Sequence, residues 1–229
     1  MAVNRRTPHG ARDGRPLGVP AKRRSQQERR QHTRQALLDA ALLALEAGES
    51  FDSLSLRSVA RAAGVVPTAF YRHFGSMDEL GLALVEDSFR TLRAMLREAR
   101  EGGTAPEHII RRSVEILLGH VREHPQHFAF LARVRSSGNG VLRHAIRNEI
   151  RLFTSELATD LARFDVLREW TTEDLQMLAG LLVNTMIATI EAVLDVPVAG
   201  PQAQADIARV AEKQLRLTLL GVPAWRSLP

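Results

Sequence analysis

Thr68, Ala69, Tyr71 and Arg72 fall within five positions of one another. A hydroxyl, a methyl, a phenol and a guanidinium at that spacing have no covalent chemistry to do together. They suit non-covalent reading, because short side chains reach base edges and a guanidinium reaches phosphates. Reading of that kind requires their helix to be held at a fixed angle to a second one. The residues just upstream meet this need: Ala60 is small where two helices would cross, Gly64 sits at a turn, and Val59, Val65 and Phe70 can pin the angle. Ser55 suits the cap of the first helix and Pro67 the first position of the second. Residues 55–74 therefore predict a helix-turn-helix, with Arg57 on the outward face of its first helix. A plain helical hairpin with exposed polar residues shares this spacing, so the motif alone leaves both readings open.

Charge adds a second candidate. The net charge of +5 is unevenly spread: residues 1–34 carry ten Lys or Arg against Asp13 and Glu28, and the remaining 195 residues carry a net −3. The arm containing Lys22, Arg23, Arg24, Arg29, Arg30 and Arg34 can meet a polyanion, either nucleic acid or an anionic membrane. A solvated tail is the alternative.

Two further classes of chemistry find little support in the residues. His120, His124 and His127 have helical spacing that invites a metal, but Pro125 is expected to break the helix and only Glu123 is an adjacent carboxylate, so no metal site is expected. There is no cysteine, no phosphate-cradling glycine loop, no Gly-x-Ser-x-Gly elbow and no His-Glu-x-x-His. The expectation is a non-enzymatic protein with no catalytic residues and no cofactor.

The elements that must position these residues are helical throughout. Leu38, Ala41, Leu42 and Leu45 follow the i, i+3, i+4, i+7 pattern of an amphipathic helix over about 26–47. Short helices follow at 56–63 and 67–73, and Ser76 with Glu79 forms a capping-box pattern opening a long helix over 77–100. Further helices are predicted at 106–123, 125–136, 141–164, 171–195 and 202–220. The expected organisation is all-α: a disordered basic tail over 1–24, a helix-turn-helix head over 25–75, and a larger helical body over 76–229. With 45% apolar residues the body can bury a core. The longest apolar stretch, Leu178 to Ile190, is interrupted by Asn184, Thr185 and Thr189 and falls short of the roughly 20 residues a membrane span needs. A cytoplasmic protein without a membrane partner is expected.

Residues 51–80, FDSLSLRSVARAAGVVPTAFYRHFGSMDEL, closely resemble the DNA-binding region of the TetR family. The resemblance implies that Arg57, Pro67, Thr68, Ala69 and Tyr71 approach bases while Arg72 and His73 contact the backbone, with Arg23, Arg24 and Arg30 of the arm as supporting contacts. Two positions depart from the pattern: Val66 stands where many relatives have a Ser or Thr cap, and Met77 where many have a phosphate-binding lysine. A weaker likeness runs to the FabR and DesT group, regulators of unsaturated fatty-acid synthesis. It is carried by His124-Pro125-x-x-Phe128, by Arg133-Val134-Arg135-Ser136-Ser137-Gly138 and by Glu191-Ala192-Val193-Leu194-Asp195-Val196. It implies a repressor that senses long-chain acyl groups on coenzyme A or acyl carrier protein. A drug- or xenobiotic-responsive repressor of an efflux operon is the alternative.

In the body, Leu92, Met95, Leu96, Val114, Leu117, Phe128, Leu131, Ile150 and Phe153 supply an apolar stripe that serves either a packed core or a pocket for a hydrophobic ligand, with Arg133 and Arg135 able to meet a ligand's phosphates. The helices containing Leu182, Val183, Met186, Ile187 and Ile190, and Ile207, Val210, Ala211 and Leu215, are apolar enough for a four-helix dimer seam. A two-fold homodimer sets two reading helices about 34 Å apart, the spacing of an inverted repeat in double-stranded DNA.

Overall fold

The computed structural model describes residues 25–101, 106–196 and 200–227, so the tail with Lys22, Arg23 and Arg24 lies outside the described residues, as do Gly102 and Gly103. Every regular element among the described residues is helical. Helix α1 (Gln26–Glu46) opens on a reciprocal cap: the Ser25 hydroxyl accepts from the Glu28 amide at 3.1 Å, and Glu28 accepts from the Ser25 amide at 2.7 Å. Its buried stripe is Leu37, Leu38, Ala41, Leu42 and Leu45. After Gly48, which takes φ +100°, a 3-10 turn (Phe51–Ser53) leads into α2 (Leu56–Ala62), capped by Ser55.

Gly64, at φ +69°, reverses the chain into α3 (Pro67–Phe70). This helix is shorter than the 67–73 expected. Beyond Phe70 the amides of Arg72 and His73 bond three residues back, to the carbonyls of Ala69 (3.2 Å) and Phe70 (2.8 Å), which tightens the backbone into a turn. The long α4 (Met77–Glu101) starts with the Ser76 hydroxyl accepting from the Glu79 amide at 3.1 Å. The Glu79 carboxylate reaches one residue past the expected box and accepts from the Gly75 amide at 2.6 Å.

The body continues with α5 (Pro106–Glu123), α6 (Pro125–Arg135), α7 (Gly140–Leu161), α8 (Thr172–Leu194) and α9 (Pro201–Leu220). Helix α7 ends three residues before the expected 164, where the chain passes into a 3-10 turn (Asp165–Leu167). Arg93 of α4 ties α7 down, its guanidinium donating to Glu149 and Glu156, both at 2.9 Å.

Head and body share one continuous apolar core that runs from Leu37 through Phe70 and Leu84 to Phe130, Ile146 and Val183. The join is close. Phe51 of the head and Phe130 of α6 approach to 6.1 Å between ring centroids. A Cβ on Gly81 of α4 would lie 2.6 Å from Phe51 and 2.8 Å from Leu142 of α7, so the missing side chain lets head and body meet on that helix. Within the body the Asn139 side-chain amide, just before α7, donates to Asp78 of α4 at 3.0 Å. The Arg133 guanidinium of α6 donates to the Leu45 carbonyl in the last turn of α1. Helix α6 is thus a second link between head and body, alongside α4.

Candidate nucleic-acid interface and apolar cavity

The α2–α3 pair rests on the features its sequence required. Ala60 and Phe70 have no exposed surface, and Val59 is buried. Phe70 stacks at a tilt on Phe74, 5.6 Å away, and meets the edge of Tyr71 at 6.0 Å. With α3 fixed from below, Pro67, Thr68, Tyr71 and Arg72 are exposed, as are Arg57 and Arg30. Tyr71 is 63% exposed, a large solvent-facing area for an aromatic ring. Ala69, expected to face outward, is half-buried, and so is His73. Val66 precedes α3 without any side-chain cap hydrogen bond, as a valine must.

Cations surround His73. Arg30 and Arg34 of α1 and Arg72 all bear on it, and Arg34 also covers the Phe74 ring at 5.1 Å. Burial, then the charges of Arg30, Arg34 and Arg72, lower its pKa below the ordinary histidine value. A phosphate at this face acts in the opposite sense and favours the imidazolium. Binding DNA would then draw a proton onto His73, and operator affinity should rise as the pH falls through the range around 6.5. In His73→Gln that pH slope should flatten. Operator affinity measured across this range at fixed salt checks it; an equal slope in both proteins removes His73 from the interface.

The second feature is an apolar cavity between α4, α6, α7 and α8. It encloses about 70 Å³ inside an envelope of about 600 Å³ that includes its open mouth. Of the residues named from sequence, Leu92, Phe128, Leu131, Ile150, Phe153 and Arg135 line it. Phe89, Ile146 and a stripe of α8 comprising Val183, Met186, Ile187 and Ile190 complete the wall. At its edge Arg135 pairs with Glu191 at 2.5 Å.

The other expected lining residues are elsewhere. Met95, Leu96 and Leu117 are buried in the shared core, and Val114 packs with Ala211 and Leu215 of α9. Arg133 turns away from the cavity to the α1 carbonyl. Met186, Ile187 and Ile190, read from sequence as dimer seam, face the cavity instead, because α8 is apolar on more than one side. Pro125 breaks the helix as expected, with α5 ending at Glu123 and His124 outside helical geometry, but the break does not separate the first two imidazoles. The His124 amide still donates to the His120 carbonyl at 2.9 Å, and His120, Glu123 and His124 come together.

Helix α8 is strongly apolar, yet less than a third of its most apolar stretch is buried within the chain. By length and composition alone it could cross a bilayer. Its flanks pack on α7 and α9, leaving Met177 and Leu181 exposed, with Val210, Leu217 and Leu220 exposed on α9.

Residues 37–84 match the family model for bacterial regulatory proteins of the tetR family, and residues 106–221 match the tetracyclin repressor-like C-terminal domain. Among solved structures, a TetR-like transcriptional regulator from Rhodococcus sp. RHA1 aligns with a TM-score of 0.61 at 22% identity, over 87% of this chain and 100% of that one. The fatty acid degradation regulator FadR from Bacillus halodurans aligns at 0.60 and 16% identity, over 82% and 95%. FadR from Bacillus subtilis, solved in complex with stearoyl-CoA, aligns at 0.61 and 14% identity, over 82% and 98%. At such identities the structural likeness speaks for the fold, while the two family models cover both head and body. The chain belongs to the TetR family of bacterial transcriptional regulators.

Proposed function

We propose that this regulator is a cytoplasmic repressor that binds an inverted-repeat operator as a homodimer and responds to a long-chain acyl-CoA or acyl-ACP, controlling fatty-acid synthesis genes. TetR regulators bind DNA and act as dimers with small-molecule ligands. The exposed apolar surfaces of α8 and α9 offer the seam for a second copy. The observation that carries the ligand reading is the cavity itself: aliphatic and phenyl groups along its length, and a single ion pair, Arg135 with Glu191, at its edge. A long acyl chain fits such a wall, and a phosphate or thioester headgroup can take Arg135 from Glu191. The stearoyl-CoA found with the Bacillus subtilis FadR lends support.

The cavity is too small for a ligand as it stands, since drug-sized sites enclose about 300–1,000 Å³. A ligand must therefore part α6, α7 and α8. Helix α6 holds the head through Phe130 and Arg133, so its displacement is transmitted to α1. Repression then changes because the ligand binds one head spacing better than the other.

Mobility shifts on the promoter of a neighbouring fatty-acid gene, with stearoyl-CoA and oleoyl-CoA, should show a change in DNA affinity of about 5- to 150-fold, the ordinary range of such coupling. Unchanged affinity with every acyl-CoA rejects acyl sensing. A response to cationic drugs beside an efflux gene would favour a xenobiotic regulator in its place.

A further inference from the structure

We propose that His120, Glu123 and His124, supported by Glu98 of α4, form a binding site for a divalent transition-metal ion at the corner where α5 gives way to α6. The backbone bond from the His124 amide to the His120 carbonyl keeps the two imidazoles one turn apart. Pro125 ends α5 just beyond them, and His124 leaves helical geometry at φ −130° and ψ 47°. Their rings lie 6.1 Å apart, and one ligand atom from each of His120, Glu123 and His124 falls within 4.8 Å of the others. Tetrahedral ligands around zinc sit about 3.4 Å from each other. Side-chain rotation of the exposed Glu123 and of both imidazoles must close that difference when an ion binds.

The state of His120 points the same way. Its Nε2 lies 2.9 Å from the Glu98 carboxylate, while its Nδ1 is buried without a hydrogen-bond partner. A carboxylate that accepts from one imidazole nitrogen leaves a bare lone pair on the other. Metal-binding histidines show this arrangement, with the outer carboxylate orienting the ring and raising its basicity. A buried acceptor without a donor is otherwise unfavourable, and a cation satisfies it.

The surrounding cleft favours a cation. Glu98, Glu115 and Glu123 line it against a single guanidinium, Arg112. Two imidazoles with carboxylates, and no thiolate anywhere in the chain, suit zinc, nickel or cobalt better than magnesium or calcium, which prefer oxygen alone. None of these residues lines the apolar cavity, so the metal site is separate from the acyl site and does not depend on it. An ion here joins α4 to the α5–α6 corner. One turn further on, His127 Nδ1 already meets Ser88 of α4 at 3.0 Å, and the far end of α6 holds the head.

Cobalt titration of the full-length, tag-free, chelator-stripped protein tests the assignment. One Co²⁺ per chain is expected, with the visible d–d absorption of a low-coordinate site and displacement by Zn²⁺. Glu123→Gln, an exposed change that leaves the fold intact, should weaken uptake about 10-fold or more, and Glu98→Gln should weaken it by about 10- to 100-fold. His120→Gln with His124→Gln should abolish both the absorption and the rise in melting temperature that Zn²⁺ gives the parent protein. His144→Gln on α7 should change nothing. Absence of stoichiometric cobalt uptake by the parent protein overturns the proposal, as does an affinity that Glu123→Gln and the double variant leave unaltered.

Discussion

Replacing Tyr71 and Arg72 together by alanine is expected to lower operator affinity by roughly 2–4 kcal/mol, on the order of 30- to 1,000-fold, while leaving the fold unchanged. The two side chains should fail differently. A phenol over base edges contributes discrimination, so Tyr71→Ala should relax preference for the operator over scrambled DNA. A guanidinium on phosphate contributes sequence-independent attraction, so Arg72→Ala should weaken binding to all sequences and reduce the salt slope by about one. Both residues are exposed, and their truncation should alter stability by no more than about 0.5 kcal/mol. Fluorescence anisotropy with operator and scrambled duplexes at several salt concentrations separates these effects. Retention of full operator affinity by the double variant would place the reading surface somewhere other than α3.

The head was the most legible part of the sequence because its constraints are local. Ser55 caps over three residues, and Gly64 supplies a positive φ that few other residues tolerate. Pro67 fixes the start of α3. Each acts within one turn, so its meaning needs no knowledge of distant packing. The exposure of Tyr71 beside a fully buried Phe70 follows from helical spacing once α3 is placed. The end of α3 was less legible, since nothing in Arg72 or His73 announces the change to three-residue hydrogen bonds.

The cavity was legible only in part, for a physical reason. Apolar spacing says that a helix has a buried face, and it does not say which neighbour covers that face. Leu92, Phe128 and Ile150 turn to the cavity, while Met95 and Leu117, on helices with the same kind of stripe, turn to the core. Helix α8 is apolar nearly all round, so Met186 and Ile190 carried no mark distinguishing cavity from seam. Arg133 and Arg135 lie two residues apart on α6, about 200° around it. One meets Glu191 and the other Leu45, a divergence that only the surrounding helices determine. The histidine cluster turns on a single residue of register: Pro125 ends α5 at Glu123, yet His120, Glu123 and His124 stay together.

The contact that binds head to body through α6 leads to the largest stability effect. Phe130 has no exposed surface, and its ring meets Phe51, itself 6% exposed, where the shared core passes from the head into the body. Phe130→Ala removes most of that ring and leaves a void that backbone on both sides must hold open. The expected loss is about 3–5 kcal/mol, a fifth or more of the roughly 5–15 kcal/mol stability of an ordinary domain. Phe130→Leu, which keeps much of the volume, should cost less than half as much. Chemical denaturation at a fixed protein concentration measures both, the concentration being held because dimerisation adds to apparent stability. A loss below about 1 kcal/mol for Phe130→Ala would mean that α6 and the head are not tightly packed. Displacement of α6 by a ligand could not then move the head, and the signal would have to travel along α4 alone.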